Sequence, residues 1–330
     1  MKKNCLICEA LPNIPWQDRP QGSDEIIWRY SENPVIGRNP QRGVARIYNS
    51  AVLPKENKFV GIFRADTITG LPDLYYGESD DGIHFRFSEK PIRLIDENGN
   101  IVQAEYRYDP RLTKIEDTYY ITWCDGYHNA PTIGLASTKD FVNYKWMERA
   151  TLPFNRNGVL FPEKIGGEYA MLTRPSDNSH TAFGDIYISY SKDLIYWGKF
   201  RRVMNPGREW WQCVKIGAGP VPIKTTEGWL LIYHGVSSTC NGFVYSMGGA
   251  ILDLNDPRIV KYRCKSFLLT PEKNYETNGF VPNVVFPCSV LADGDTGRLA
   301  IYYGAADTCT SLAFAEADAL VAYIKENNVI

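Results

Sequence analysis

Residues 190–197 read YSKDLIYW, and this pattern of a Ser, then an Asp, then an aromatic residue recurs along the chain. The chain contains two further close copies, SDDGIHF at 79–85 and STKDFVNY at 137–144. Two weaker copies are LDLNDPRI at 252–259 and AEADALVAY at 315–323. Successive aspartates are 59, 53, 63 and 62 residues apart: Asp81, Asp140, Asp193, Asp256 and Asp318. Repeats at a near-constant period indicate solenoids, arrays or propellers. The sequence therefore predicts five structural units.

The segments between these copies are short runs rich in Tyr, Phe, Trp, Ile and Val, separated by Gly, Pro, Asn and Asp. Such runs predict β-strands. A second register repeats within each unit, where two positions fifteen residues apart bracket a strand, a turn and another strand: Asn49 and Arg64, Asp109 and Cys124, Val159 and Arg174, Gly219 and His234, Ser289 and Gly304. Each unit is thus predicted to begin as a β-meander.

Four-stranded meanders arranged radially form a β-propeller, in which ligands bind where the inner strands converge. We predict an all-β, five-bladed β-propeller that occupies residues 1–330 as a single domain. Residues 1–45 are predicted to be an N-terminal extension that caps the propeller or mediates assembly. A β-sandwich with insertions is the competing architecture, but it does not predict five copies in phase.

Composition excludes several classes of function. The formal net charge is −2 and no local run of Lys and Arg occurs, so we predict no nucleic-acid partner. The sequence has no apolar stretch of roughly eighteen residues and no persuasive signal peptide, so we predict no membrane contact and a cytoplasmic location. The eight cysteines are scattered, and the lone C-x-x-C at Cys5 and Cys8 lacks the context of a zinc or redox motif. We predict no metal site.

Polar residues fall at corresponding blade positions, which would bring them to one central funnel. Asn49, Ser50 and Asp109 begin first strands, Arg64, Arg174 and His234 end second strands, and Asp66 and Asp307 lie just beyond such ends. Any one of them alone could be a salt bridge or a turn residue. One convergent carboxylate with several cations suits displacement at a sugar by an anion, because glycosidic cleavage needs an acid and arginine binds phosphate bidentately.

The chain resembles the mannoside phosphorylases of glycoside hydrolase family 130. Long ordered segments carry the resemblance: NPVIGRNP (33–40), ARIYNSAVLPKENKFVGIFRAD (45–66), YRYDPRLTKIEDTYYITW (106–123), FNRNGVLFPEKIGGEYAMLTRPS (154–176), VKIGAGPVPIKTTEGWLLIYHGV (214–236) and IYYGAAD (301–307). The resemblance implies a five-bladed propeller that cleaves β-mannosidic bonds with phosphate and inverts the anomeric centre to give α-mannose 1-phosphate. The chain lacks large insertions, and in this it resembles the branch of the family that acts on β-1,4-manno-oligosaccharides or on mannosyl-N-acetylglucosamine of N-glycan cores.

The resemblance also assigns roles to individual residues. Asp109 is expected to be the single catalytic acid, passing its proton through the 3-hydroxyl of the bound mannose. We expect at least one of its neighbours Arg107 and Arg111 to point away from its carboxyl group. The phosphate is expected to meet Arg156, Asn157, Arg174, Lys215 and His234. The mannose is expected to meet Asn49, Ser50, Arg64, Asp66, Tyr245 and Asp307, with Arg64 able to serve either ligand.

Further expectations concern partners and alternatives. The resemblance implies a β-mannoside and inorganic phosphate as substrates, no metal or organic cofactor, and a homo-oligomer. Trp210, Trp211 and Tyr127 are candidates for stacking on acceptor sugars. An inverting β-mannosidase on the same fold is the first alternative, with Glu163 or Glu209 as its base. A non-catalytic glycan-binding propeller is the second.

Overall fold

A computed structural model describes residues 4–126, 130–177 and 183–330 of the chain. These residues form five sheets, antiparallel except for one short strand, arranged as the blades of a propeller. The elements of the first two blades, preceded by one short strand, are β1 (Trp28–Arg29), β2 (Val44–Lys55), β3 (Lys58–Thr67), β4 (Pro72–Ser79), β5 (Arg86–Phe87), β6 (Leu94–Ile95), β7 (Arg107–Ile115), β8 (Thr118–Asp125), β9 (Thr132–Thr138) and β10 (Tyr144–Arg149).

The remaining three blades follow in the same order along the chain. Their elements, including a short 3-10 helix and two α-helices, are β11 (Asn155–Leu160), β12 (Tyr169–Asp177), β13 (Phe183–Gly184), β14 (Ile186–Ser191), β15 (Gly198–Met204), the 3-10 helix Trp210–Gln212, β16 (Lys215–Ala218), β17 (Ile223–Thr225), β18 (Gly228–Thr239), β19 (Gly242–Leu252), β20 (Val260–Arg263), α1 (Asn274–Thr277), β21 (Val285–Ala292), β22 (Arg298–Ala305), β23 (Cys309–Glu316) and α2 (Ala317–Glu326).

The strand order of each sheet confirms the predicted five blades. Blade I runs β2-β3-β4-β5, blade II runs β7-β8-β9-β10 with β6 added in parallel, and blade III runs β11-β12-β14-β15. In blade IV, β16 and β17 both pair with β18, and β19 and β20 follow. The innermost strands lie around one axis: β2 contacts β7 and β21, β11 contacts β7 and β16, and β21 contacts β18 and β19 of blade IV. Any side chain that leaves the start of an innermost strand therefore approaches the same central space.

Blade V is completed by the opposite end of the chain. Its order is β21-β22-β23-β1, with Trp28 opposite Phe314 and Arg29 opposite Ala313. Trp28 is buried and its ring lies 6.4 Å from that of Phe314. The segment predicted to be an extension thus contributes an outer strand that closes the ring. The sequence did not reveal this strand, because it has only two residues and no alternating pattern.

Burial of apolar side chains between neighbouring blades stabilises the ring. The described residues contain six clusters of buried apolar side chains, and five of them lie one at each junction between blades. At the junction of blades I and II, for example, Ile62 and Leu74 pack with Leu112 and Ile121, all between 0% and 3% exposed. Each blade therefore buries its two faces against its two neighbours.

The Ser-Asp-aromatic repeat has a structural cause in three of its five copies. Asp81, Asp140 and Asp193 each accept hydrogen bonds from the backbone N–H groups two and three residues later, which closes the turn before the outer strand. The two weaker copies do not form this turn. Asp256 instead accepts bonds from Arg258, and Asp318 lies in the first turn of α2.

Candidate active site

A left-handed backbone bulge carries a polar side chain in three innermost strands, in the middle of β2 and near the starts of β7 and β11. Asn49, Asp109 and Asn157 have φ angles of 51°, 53° and 54°. At each of them the pairing with the second strand skips residues, between Tyr48 and Ala51 in blade I and between Tyr108 and Arg111 in blade II. Bulges commonly re-aim side chains next to active sites, and Asn and Asp tolerate this conformation better than most residues.

The strand pairing corrects three predicted registers. Arg156 pairs with Arg174 as Tyr48 pairs with Arg64, so Asn157, and not Val159, is the blade III counterpart of Asn49 and Asp109. Gly217 pairs with His234 and Phe286 pairs with Gly304, so Ala218 and Pro287, and not Gly219 and Ser289, are the counterparts in blades IV and V. The turn between β11 and β12 contains an additional bridge from Ile165 to Glu168, which lengthens the spacing.

The bulges open onto a cavity of about 280 Å³ on the propeller axis. All five blades or the segments that join them contribute to its lining: Asn49, Arg64, Tyr108, Asp109, Arg156, Asn157, Arg174, Ser176, Lys215, Phe243, Tyr245, Val281, Val284, Phe286 and Asp307. The cavity thus brings together most of the residues predicted to bind substrate or phosphate. Ser50, Asp66 and His234 do not belong to this lining.

Asp109 is held by two donors from blade I. Asn49 Nδ2 donates to Asp109 Oδ1 over 2.7 Å, and Arg64 Nη1 lies 2.9 Å from the same oxygen. Within the described ranges, no side chain bonds to Oδ2. The flanking arginines both point away from the carboxyl group, as expected for at least one of them, because Arg107 bonds to Asp73 and Arg111 bonds to main-chain carbonyls.

Arg64 is itself fixed by a group of residues behind the cavity. Its Nε donates to Asp66 Oδ1 over 3.1 Å, while Asp66 Oδ2 accepts bonds from Arg46 and Tyr48 at 2.9 Å each. The guanidinium also lies 4.3 Å from the centre of the Tyr48 ring. Three hydrogen bonds to basic or phenolic groups use both oxygens of Asp66, which is only 2% exposed. In this structure Asp66 therefore orients Arg64.

The opposite side of the cavity is cationic. Arg156, Arg174 and Lys215 face the same space, and no described carboxylate forms an ion pair with any of them. Burial, with repulsion from Arg174 and Arg156, lowers the pKa of Lys215 to about 8. The Lys215 Nζ lies 4.5 Å from the Phe243 ring centre and 5.7 Å from that of Tyr245. Uncompensated buried cations are costly, so this arrangement indicates an anion site.

His234 lies behind Arg174 and has no exposed surface. Its Nε2 lies 2.9 Å from Arg174 Nη1. Because a guanidinium group only donates, Nε2 must be the acceptor and Nδ1 must carry the imidazole proton. Burial and the charges of Arg174, Arg111 and Lys215 hold the pKa of His234 well below its ordinary value. The histidine is thus a neutral acceptor that orients Arg174.

Asp307 is a second carboxylate in the cavity. It adopts a φ of 47° just after β22. Burial raises its pKa to about 6, the Arg64 charge opposes that shift, and the neighbouring Asp109 and Asp66 add to it. Ser50, by contrast, is fully buried and shares a hydrogen bond with Thr310, so it does not reach the cavity.

The chain as a whole matches a known family. The sequence profile of glycoside hydrolase family 130, described as β-1,4-mannooligosaccharide phosphorylase, matches residues 8–326. The chain belongs to glycoside hydrolase family 130. A β-1,4-mannooligosaccharide phosphorylase of Ruminococcus albus is 51% identical to it over 100% of both chains. A 4-O-β-D-mannosyl-D-glucose phosphorylase of Bacteroides fragilis is 31% identical over 90% of this chain and 80% of the relative.

A solved structure of this family shares the architecture. The β-1,2-mannobiose phosphorylase of Listeria innocua, in complex with β-1,2-mannobiose, superposes with a TM-score of 0.81 at 30% identity, covering 91% of this chain and 99% of that one. These relatives include enzymes named for β-1,2 and β-1,4 linkages. Membership in the family therefore fixes the fold and the class of enzyme more firmly than it fixes the linkage.

Several lining residues escaped sequence reasoning. Tyr108 precedes Asp109, and its hydroxyl accepts a 3.3 Å bond from Arg156 Nε, while Ser176 Oγ is 3.4 Å from Arg156 Nη1. Phe243 and Phe286 form the apolar part of the wall. The position of Tyr108 beside the acid was a signal that went unused. The two phenylalanines lie in apolar runs with no feature that sets them apart from core residues.

Other predicted candidates lie away from the cavity. Glu163 is exposed and pairs with Lys224, and Glu209 bonds to Gln212, so neither is placed to act as a base on water in the cavity. Trp211 is 1% exposed in the core between blades III and IV, and Trp210 packs edge-on against Phe267. Tyr127 lies outside the described residues.

Two kinds of feature are absent from the described residues. Residues 4–126, 130–177 and 183–330 contain no group of three or more His, Cys, Asp or Glu side chains arranged to hold a metal ion. Within the same ranges, no helix has the length and apolar character needed to cross a bilayer.

Proposed function

We propose that the chain catalyses the reversible, inverting phosphorolysis of β-1,4-mannosides to α-D-mannose 1-phosphate and a shortened sugar. The observation that carries this proposal is the division of a single cavity into an acidic side and a cationic side. Asp109 is held on one side, and Arg156, Arg174 and Lys215 converge on the other without a carboxylate partner. Cleavage of a glycoside by an anion requires both sides.

The cationic side would bind inorganic phosphate. Two guanidinium groups offer planar donor pairs that match phosphate oxygens, and the ammonium group adds a point charge. Asn157, which shares the cavity, would supply a further donor. His234 would contribute by orienting Arg174 from behind, since it has no exposed surface. One phosphate oxygen would then attack C1 of the mannose on the face away from the leaving oxygen.

The acidic side would protonate the leaving group. As C1 bonds to phosphate, the C1–O bond to the acceptor sugar breaks, and the acceptor oxygen takes up a proton that originates on Asp109. The family resemblance routes this proton through the 3-hydroxyl of the mannose. Both hydrogen bonds that hold Asp109 use Oδ1, so Oδ2 is the oxygen we assign to the proton. Arg64 and Asn49 then stabilise the carboxylate that remains.

The mannose would lie between these two sides. Asn49, Arg64, Tyr245 and Asp307 line this part of the cavity and offer donors and acceptors to its hydroxyl groups. Ser50 and Asp66 would support the site from behind, because their polar atoms are already bonded within the protein. Arg64 reaches Asp109 rather than the cationic side, so we assign it to the mannose and the acid.

The β-1,4 linkage is supported by the relative with 51% identity, which is named a β-1,4-mannooligosaccharide phosphorylase. Mannose and N-acetylglucosamine both remain candidates for the acceptor. We further propose that no metal or organic cofactor takes part and that the chain forms a homo-oligomer. Its eight free cysteines support a cytoplasmic location, because thiols are kept reduced there.

Hydrolysis is the alternative that one observation favours. Asp307 shares the cavity with Asp109, and an inverting hydrolase needs a second carboxylate to activate water. The cationic side has no use in that reaction. Its three uncompensated cations favour phosphate as the nucleophile.

The reverse reaction tests the proposal. The protein is incubated with α-mannose 1-phosphate and either mannose or N-acetylglucosamine, and released phosphate is measured by a colorimetric assay with chromatography of the sugars. We expect phosphate release that requires an acceptor, together with a new disaccharide. Phosphate release without an acceptor would mean that water replaces the acceptor sugar, and no release with either acceptor would reject the phosphorylase. An inverting β-mannosidase also gives no release, so formation of free mannose from β-1,4-mannobiose without phosphate then separates it from a glycan-binding protein.

A further inference from the structure

Arg111 is a buried cation that no substrate-binding role accounts for. It follows the bulge of blade II by two residues, is 1% exposed, and does not belong to the lining of the cavity. None of the described carboxylates forms an ion pair with it, and its Nη2 is buried without a hydrogen-bond partner. A buried guanidinium without a counter-ion is costly. A contribution to stability therefore does not explain Arg111.

The remaining nitrogens of Arg111 clamp the backbone that carries the acid. Its Nη1 donates to the carbonyl oxygen of Pro110 over 3.0 Å and to that of Asp109 over 3.3 Å. These carbonyls belong to the left-handed bulge at Asp109, which has a φ of 53°. Nη1 thus satisfies acceptors that the skipped pairing between β7 and β8 leaves without ladder partners.

The same side chain also reaches a blade that is not a neighbour of its own. Arg111 Nε donates to the carbonyl oxygen of Gly219 over 2.5 Å. Gly219 follows β16 in blade IV, whereas Arg111 lies in blade II, so this bond spans the propeller axis. The guanidinium also lies 5.4 Å from the centre of the Phe286 ring, which packs 4.5 Å from the ring of His234. Arg111 therefore connects the acidic and cationic sides beneath the cavity.

We propose that Arg111 is a positioning residue of the phosphorolysis reaction, which fixes the Asp109 bulge against blade IV so that the acid stays in line with the anion site. This inference rests on the proposed function. Arg111 touches neither substrate in this arrangement and acts through Asp109. Displacement of a catalytic group by about 1 Å can lower a rate by about 100-fold, so loss of the clamp acts on the rate of the chemical step.

The test compares Arg111→Met and Arg111→Lys with the matched variant Arg263→Met. Arg263 is likewise buried, and its guanidinium bonds to Gln212 and to the Asn205 carbonyl oxygen, away from the cavity. For Arg111→Met we expect kcat for phosphorolysis of β-1,4-mannobiose to fall roughly 30- to 100-fold, with the KM for phosphate changed less than about threefold. Arg111→Lys, which keeps a charged donor, is expected to recover part of the loss. Arg263→Met is expected to lose thermal stability but to keep kcat within about threefold.

A chemical rescue separates positioning from folding. Guanidinium chloride at millimolar concentration, far below the range that unfolds proteins, is added to Arg111→Ala against the same concentration of sodium chloride. Restored kcat with unchanged thermal stability supports the proposal. A kcat for Arg111→Met equal to that of Arg263→Met, or a loss confined to the KM for phosphate, would overturn it. Failure of the wild-type protein to form mannose 1-phosphate in the parallel assay would instead reject the proposed function.

If Arg111→Met does not fold, Arg111→Lys decides. Its circular dichroism and thermal transition are compared with those of the wild type, and its kcat is measured at several pH values. Positioning predicts a lower kcat and a displaced pH profile, because the contacts of Asp109 with Asn49 and Arg64 shift. A folded Arg111→Lys variant with the kcat and the pH profile of the wild type would contradict the proposal. So would a kcat of Arg111→Ala that guanidinium chloride does not raise.

Discussion

The Nη1 atom of Arg174 lies 2.9 Å from Nε2 of His234, and the histidine is completely buried behind the arginine. This contact orders the cationic side into a layer that faces the cavity and a layer that supports it. The neutral imidazole accepts from Arg174 without cancelling its charge. Burial, with repulsion from Arg156, lowers the pKa of Arg174, but an arginine remains protonated at neutral pH.

Substitutions of Arg174 and of His234 should therefore raise the KM for phosphate by different factors. Arg174→Met removes charged donors and should raise the KM for phosphate roughly 10- to 100-fold, since hydrogen bonds to charged groups contribute about 1.5–3 kcal/mol. His234→Leu should raise it less, and His234→Gln, which keeps an acceptor, should lie nearest the wild type. Steady-state kinetics with varied phosphate measures the three values. His84→Leu, on an exposed turn, is the control, and a larger effect of His234→Leu than of Arg174→Met would contradict the layering.

Replacement of the acid should remove chemistry and spare phosphate binding. Asp109→Asn keeps an oxygen for Asn49 and Arg64 but has no carboxyl proton to donate, so kcat should fall roughly 100- to 10,000-fold. Calorimetric titration with phosphate should give an affinity near that of the wild type. Asp73→Asn, whose carboxylate pairs with Arg107 outside the cavity, is the control. An Asp109→Asn variant with kcat within about fivefold of the wild type would mean that another group donates the proton.

The affinity for phosphate should weaken in alkali. Lys215 has a pKa lowered to about 8, so its ammonium charge is present below that pH and is lost above it. The KM for phosphate should rise as the pH passes through about 8, as that pKa requires. Lys215→Arg retains its charge throughout this range, so its KM should vary much less. Parallel pH series of the two proteins measure the difference, and identical profiles would exclude Lys215 as the source.

Asp307 should lower stability near neutral pH. Its pKa is raised to about 6 in the folded protein, above the ordinary value, so the folded state binds more protons than the unfolded state between these two values. The free energy of unfolding therefore falls as the pH rises through this interval. Asp307→Asn should raise Tm at about pH 7.5, with a smaller gain at about pH 5, while lowering kcat/KM for the mannoside. Thermal denaturation at both pH values measures this, and a gain that is larger at the acidic pH would reverse the assignment.

The sequence predicted the architecture because its repeat has a local physical cause. The aspartate turns at Asp81, Asp140 and Asp193 close before the outer strands of blades I, II and III and so leave a periodic trace. Strand β1 left no such trace, because Trp28 and Arg29 gain their partner only when the two ends of the chain meet. Pairing between distant segments is set by the closed ring and cannot be inferred from a two-residue pattern.

The site was predicted unevenly for the same reason. Residues within long matched segments, such as Asp109 and Arg174, could be named from sequence and do line the cavity. The sequence could not show which residues line the cavity and which support it from behind. The burial of Ser50, Asp66 and His234 depends on partners in other strands or blades. The hydrogen bond from Arg111 to Gly219 depends on the whole ring in the same way.

Proton NMR of the products tests the central claim most directly. The protein is incubated with β-1,4-mannobiose, with and without phosphate, and the anomeric signals are followed from the start of the reaction. The account predicts an α-mannose 1-phosphate signal that appears only with phosphate and is lost in Asp109→Asn. Hydrolysis of the mannobiose to free mannose without phosphate would contradict the account and would make Asp307 the first candidate for the base of a hydrolase.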